Sequence, residues 1–242
     1  MRVDVNGTTL FYEKLGSGPP LLLVHGNGGT HRVFRRMAKV LAPHFTLYLP
    51  DTRGHGDSGK TDVFHYEDFA ADLVAFCAAL KIEKPVFVGH SDGGITGLLL
   101  ASRYPDLLKE AFICGANLTP RGFYAPVRGA IRLWSLFNKN DRIRLMLREP
   151  RLTEEDLHKI TIPVHVTAGM FDIVRKKETL AIVNAIPDAD LKIFPLREHN
   201  AYVMLETALG EYVLEKTGAN AEGAAKTAKT GPSPAPKTGN ND

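Results

Sequence analysis

The stretch Pro85-Val-Phe-Val-Gly-His-Ser-Asp-Gly-Gly94 constrains the fold more than any other part of the chain. Residues 85–88 are a short apolar run that reads as a buried strand, and residues 95–103 continue as an apolar helix. Between them lies Gly89-His90-Ser91-Asp92-Gly93, a G-x-S-x-G turn. A strand that turns this sharply into a helix leaves no room for a β-carbon two residues either side of the serine. The turn strains Ser91 and exposes its hydroxyl at the carboxyl end of a sheet. The helix that follows aims its free N–H groups and positive dipole end at the same spot.

The rest of the chain supplies a context for that turn. Val3 and Val5, the Asn6-Gly7 pair and residues 9–12 predict a β-hairpin with a tight primed turn. Strands follow over 21–24, 45–49, 85–88 and 110–114. Helices are expected from Thr30 to about residue 41, over 66–80 and over 95–103. This alternation predicts an α/β fold, a mostly parallel central sheet with helices on both faces, whose ligands bind outside the carboxyl ends of the strands. Residues 117–159 carry helical fragments but no convincing strand, and so read as a small helical cap inserted after the sixth strand. The sheet resumes over 162–172, then come a helix over 175–186, a strand over 191–194, a loop over 195–200 and a last helix over 201–215. From residue 217 to 242 the composition shifts to Ala, Gly, Thr, Lys and Pro without apolar periodicity, and the segment is expected to be a disordered tail.

At 242 residues, 44% hydrophobic and 24% charged, the chain has the makings of one large globular domain, over residues 1–216. The sequence shows no membrane-length apolar run and no signal-peptide core near Met1, so a cytoplasmic location is expected, with no membrane partner. A net charge of +3 gives no ground for a nucleic-acid partner. Cys77 and Cys114 read as buried thiols, and neither a metal nor a cofactor motif is present in the sequence.

A serine hydroxyl needs a base that is itself oriented by an acid. In this topology both come from later strand ends, in the order serine, acid, histidine. Asp172 follows the strand after the cap, and His199 is the one histidine past the last strand. Glu198 is the alternative acid, although its place beside the histidine aims it elsewhere. His25, His90 and His165 read as structural. The oxyanion needs two backbone N–H donors. Asp92 offers one and the His25-Gly-Asn-Gly-Gly29 loop the other, from Asn27 ahead of Gly28, while the Asp92 carboxylate is expected to stabilise the helix start.

Together, His25-Gly-Asn-Gly-Gly29, Asp51-x-Arg-Gly-x-Gly-x-Ser58, Gly89-x-Ser-x-Gly93, Gly169-x-x-Asp172 and His199 resemble the α/β-hydrolase superfamily, in its carboxylesterase-like serine branch. The resemblance spans about residues 1–215. It implies a serine hydrolase with Ser91 as nucleophile, His199 as base and Asp172 as acid, and makes the 51–58 loop a structural turn. Haloalkane dehalogenases and epoxide hydrolases of this fold need aspartate where Ser91 stands. A cap of about 40 residues is short for the family and implies an open or shallow acyl pocket. The expected reaction is cleavage of a small-molecule ester, thioester or lactone. A carbon–carbon bond hydrolase and a low-turnover ligand receptor are the alternatives. Between residues 121 and 151 eight basic residues face two acids, and two readings follow: a solvated outer face, or a mouth (Arg128, Arg132 and Arg144 among its lining) that draws in an anionic substrate.

Overall fold

A computed structural model describes residues 1–138 and 141–219. The strands are β1 (Arg2–Val5), β2 (Thr8–Leu15), β3 (Pro20–Val24), β4 (Thr46–Pro50), β5 (Val86–His90), β6 (Glu110–Cys114), β7 (Val164–Phe171) and β8 (Ala189–Glu198). The helices are α1 (Arg35–Leu41), α2 (Tyr66–Leu80), α3 (Asp92–Arg103), α4 (Ala125–Phe137), α5 (Asp141–Arg148), α6 (Glu154–His158), α7 (Lys176–Ala185), α8 (Ala201–Met204) and α9 (Ala208–Thr217).

The strands form one sheet in the order β1-β2-β4-β3-β5-β6-β7-β8. β1 and β2 form the N-terminal hairpin, and β2 joins β4 antiparallel. Every pairing from β4 to β8 is parallel. Asn6 and Gly7 both have positive φ, 44° and 74°, as the primed hairpin turn demands. Alternation along β3 divides the core into two layers. Leu22 and Val24 pack into the layer beneath α2 and α3, whereas Leu21 and Leu23 pack into the layer that holds α1 and α9. The strand order reverses at β3, which lies between β4 and β5, so a crevice opens between the carboxyl ends of β3 and β5.

Between β6 and β7 the chain leaves the sheet through the turn Pro120–Gly122 and the helices α4, α5 and α6. Phe123, Ile131 and Ile143, with Val174 from beyond β7, make a small apolar cluster of their own that seats α4 and α5. No helix among the described residues is long and apolar enough to cross a membrane.

The differences from the expected boundaries that alter an element's kind or continuity are these. The first turn after Thr30 is a 3-10 helix, His31–Phe34, before α1 begins. The last strand runs on to Glu198 through Pro195, because β8 is an edge strand and a missing N–H costs nothing on the open side. The last helix is broken: the Leu205 carbonyl is taken by the Arg36 guanidinium at 2.6 Å, and α9 starts afresh at Ala208. Of the expected tail, 217–242, Thr217 closes α9 and Gly218 caps it, and the part from residue 220 on lies outside the described residues.

Candidate active site

Ser91 joins β5 to α3 with φ 54° and ψ −113°, outside the ordinary helical and extended wells. Such a conformation costs on the order of 1–3 kcal/mol and persists only where its surroundings over-determine it. Here the Ser91 N–H donates to the Cys114 carbonyl at 2.8 Å, and the Ser91 carbonyl accepts from Ile95 at 3.0 Å. The glycines do what the turn requires. A β-carbon on Gly89 would strike the Gly93 carbonyl, and one on Gly93 would strike the Val24 carbonyl of the neighbouring strand.

The acid and base candidates come from adjacent strand ends. β7 and β8 pair as far as Phe171↔Glu198, across a register shift between Gly169 and Phe171. The next residue on each strand is Asp172 and His199. His199 Nδ1 donates to Asp172 Oδ1 at 2.7 Å, and both side chains are buried. Because a carboxylate only accepts, the proton sits on Nδ1, leaving the Nε2 lone pair free to take another. Burial pushes the Asp172 carboxyl up. The His199 hydrogen bond and charge, with the N–H groups of Val174 and Gly169, outweigh that and hold it below its ordinary value.

Ser91 and His199 open onto one cavity of about 460 Å³ between the strand ends and the inserted helices. Asn27 comes from the β3 loop, Trp134 from α4, Arg142 from α5 and Ile173 from the β7 end to complete its walls. Asn27 and Asp92, the residues expected to offer oxyanion donors, sit together here. The Asn27 side-chain amide donates to Asp92 Oδ2 at 2.9 Å and to the Arg142 carbonyl at 3.0 Å. Tyr66 Oη donates to the other Asp92 oxygen at 2.9 Å. The Asp92 carboxylate is therefore more than a helix-start charge, since it ties the loop after β3 to α2 and α3. Burial pushes its pKa up to about 6, against the two hydrogen bonds that favour its charged form.

His25, His90 and His165 are held by structural contacts. His90 Nε2 donates to the His199 carbonyl at 3.0 Å, and the two rings lie 4.8 Å apart. Burial, then the neighbouring His199 charge, pushes His90 down to about 3, which keeps it neutral. His25 accepts from the Thr52 N–H at 3.1 Å, and burial lowers its pKa. His165 lies at the opposite end of β7, bridging Glu110 and Asp190. Glu198 turns away to accept from the Asn200 N–H at 3.1 Å. In the 51–58 loop, Asp51 takes the His31 and Asp57 N–H groups and Ser58 Oγ donates to the Asp51 carbonyl, a structural turn.

The expected mouth is corrected in its residues. Arg142 lines the cavity shared by Ser91 and His199, whereas Arg128, Arg132 and Arg144 do not. The contributions of Tyr66 and His90 could not be read from their neighbours in the chain, since their partners lie 26 and 109 residues away.

Residues 19–149 match a family model described as alpha/beta hydrolase fold. The chain belongs to this family. Among α/β-hydrolase relatives, it is 33% identical over 120 residues to a 2-(acetamidomethylene)succinate hydrolase of Mesorhizobium japonicum, covering 49% of this chain and 42% of that protein. It is 35% identical over 123 residues to the serine hydrolase BPHL of Mus musculus, covering 48% and 42%. The chain thus matches less than half the length of these curated relatives. An enol-lactonase from Burkholderia xenovorans LB400 superposes with a TM-score of 0.75 at 20% identity, over 89% of this chain and 98% of that one. That likeness concerns the fold.

Proposed function

We propose that this α/β-hydrolase is a serine hydrolase that cleaves a carboxylic ester, thioester or lactone of a small molecule through an acyl-enzyme. The observation that carries the reading is the Asp172–His199 hydrogen bond, 2.7 Å long, behind a cavity shared by His199 and a strained Ser91. Ser91 Oγ attacks the substrate carbonyl carbon as His199 Nε2 takes its proton, and Asp172 steadies the imidazolium that results. The developing oxyanion lies on the backbone N–H groups of Asp92, at the start of α3, and Asn27. Donors of this kind are each worth about 10²–10³ in rate. Collapse of the tetrahedral intermediate breaks the bond to the leaving oxygen or sulfur, which takes the proton from His199. Water then attacks the acyl carbonyl with His199 again as base, and the acid departs as the Ser91 hydroxyl re-forms. Only side chains, backbone N–H groups and water take part.

Alcohol and thiol leaving groups demand least of the site, whereas a carbon leaving group must be a stabilised carbanion, and this favours ester-type cleavage over breaking a carbon–carbon bond. The hydrolase names of the relatives agree with the class of reaction. A panel of p-nitrophenyl esters of increasing chain length tests it. Sustained turnover is expected, with Ser91→Ala lowering kcat by at least about 10³-fold in a folded protein. A burst without turnover would instead identify a ligand receptor, and an active alanine variant would contradict the assignment.

A further inference from the structure

Five of the arginines concentrated between residues 121 and 151 converge on a second hollow, on the outer side of the inserted helices. Arg121 comes from the turn Pro120–Gly122, Arg128 and Arg132 stand one turn apart on α4, Arg148 ends α5 and Arg151 follows it. The groove measures about 770 Å³, and neither aspartate nor glutamate lines it. It shares no lining residue with the catalytic cavity, although α4 and α5 supply walls to both.

Little within the chain neutralises these charges. Arg148 is held by Asp141, at 2.7 and 3.0 Å. Arg151 Nε donates to the Arg148 carbonyl and has no ion-pair partner among the described residues, although it and Arg148 also border a hollow that holds Glu67 and Glu149. Arg121, Arg128 and Arg132 have no carboxylate partner among the described residues. Arg121, Arg132, Arg148 and Arg151 are exposed and Arg128 is half-buried, yet all five border the same hollow. Three stretches, the 120–122 turn, α4 and the end of α5 with the residues just after it, bring them to one concavity, where their fields add. The guanidinium fork matches a phosphate oxygen pair with two parallel hydrogen bonds, and several forks suit an anion that presents several such oxygens.

We propose that this groove is a binding site for a phosphate-bearing ligand with two or more negative charges, separate from the catalytic cavity. The phosphate can be that of a small molecule or of a lipid headgroup. Leu133, Leu136 and Phe137 follow Arg132 on α4 and are 58%, 74% and 82% exposed, so both sources belong in the test. The proposal concerns binding and stands whether or not Ser91 turns over an ester.

The full chain is titrated with inorganic pyrophosphate by calorimetry. A parallel arm measures sedimentation with phosphatidylcholine vesicles, with and without phosphatidic acid. The variants are Arg128→Glu with Arg132→Glu, the milder Arg128→Gln with Arg132→Gln in case reversal disturbs the fold, and Arg144→Glu as an exposed control outside the groove. Saturable pyrophosphate binding is expected, at least about tenfold weaker in the paired variants, unchanged in Arg144→Glu, and fading as salt rises past about 0.15 M. Binding confined to phosphatidic acid vesicles and lost in the paired variants would assign the phosphate to a headgroup. Binding to neither probe, or binding that the paired variants retain, would overturn the proposal.

Discussion

Two carboxylates stand beside or against His199, and they separate cleanly by geometry. Asp172 faces the ring at 2.7 Å, while Glu198 is turned to the Asn200 N–H. Asp172→Asn therefore leaves His199 in the wrong tautomer and is expected to cost roughly 10⁴-fold in kcat. Glu198→Gln is expected to leave kcat near that of the parent. The reverse outcome would move the acid to Glu198. Asp92 provides a prediction of a different kind. Its pKa is pushed up to about 6, above the ordinary carboxylate value of about 4. Between those two values the folded chain keeps a proton at Asp92 that the unfolded chain has released. Stability from this group thus falls as pH rises through the window, and levels off above it. His25, His55 and His90, lowered by burial, titrate in both proteins, so the difference between parent and Asp92→Asn isolates the aspartate. The variant is expected to lose less melting temperature than its parent between pH 4 and about 6. Parallel curves would mean that Asp92 is ionised throughout. At this scale the sequence made Ser91, Asp172, His199 and Asn27 candidates because each sits at a strand end beside glycine or a turn. Tyr66 and the Asp92 carboxylate were not legible as a pair, because a hydrogen bond across 26 residues leaves no local pattern.

Elements whose signal is periodic came out closest to their expected bounds. α2 spans Tyr66–Leu80 and β6 spans Glu110–Cys114, both as their apolar spacing predicts. Where the signal was a single residue the reading failed. Pro195 looked like a loop marker, yet an edge strand tolerates it. The inserted helices are the hardest case, since which arginines face inward depends on how α4 and α5 pack, and that rests on the cluster of Phe123, Ile131, Ile143 and Val174. That packing turns Arg142 to the catalytic cavity and Arg128 and Arg132 to the outer groove. A substrate ester with a free carboxylate is accordingly expected to outperform its neutral isostere in kcat/KM. Arg142→Ala should remove that advantage, because among the described residues its side chain is the Arg or Lys in the cavity wall. Arg144→Glu should leave the advantage in place. Equal rates for both esters in the parent, or an advantage that survives Arg142→Ala, would contradict this reading of the cavity.

At the scale of the whole molecule, a parallel sheet with a reversal of strand order at β3 places its crevice where β3 and β5 end. The four loops bearing Asn27, Ser91, Asp172 and His199 all reach that edge, although they are separated in sequence by up to 172 residues, between Asn27 and His199. This much was legible before any coordinates, because alternating strands and helices leave few topologies open. The substrate was not, since it depends on cavity walls built by a segment with weak periodicity. The central claim is that Ser91, and no other serine, is the activated nucleophile. Reaction of the full chain with a fluorophosphonate, followed by peptide mapping, tests it most directly. One adduct is expected, on Ser91, absent in Ser91→Ala and strongly slowed in His199→Ala. An adduct on another serine, or labelling of Ser91 at the same rate without His199, would contradict it.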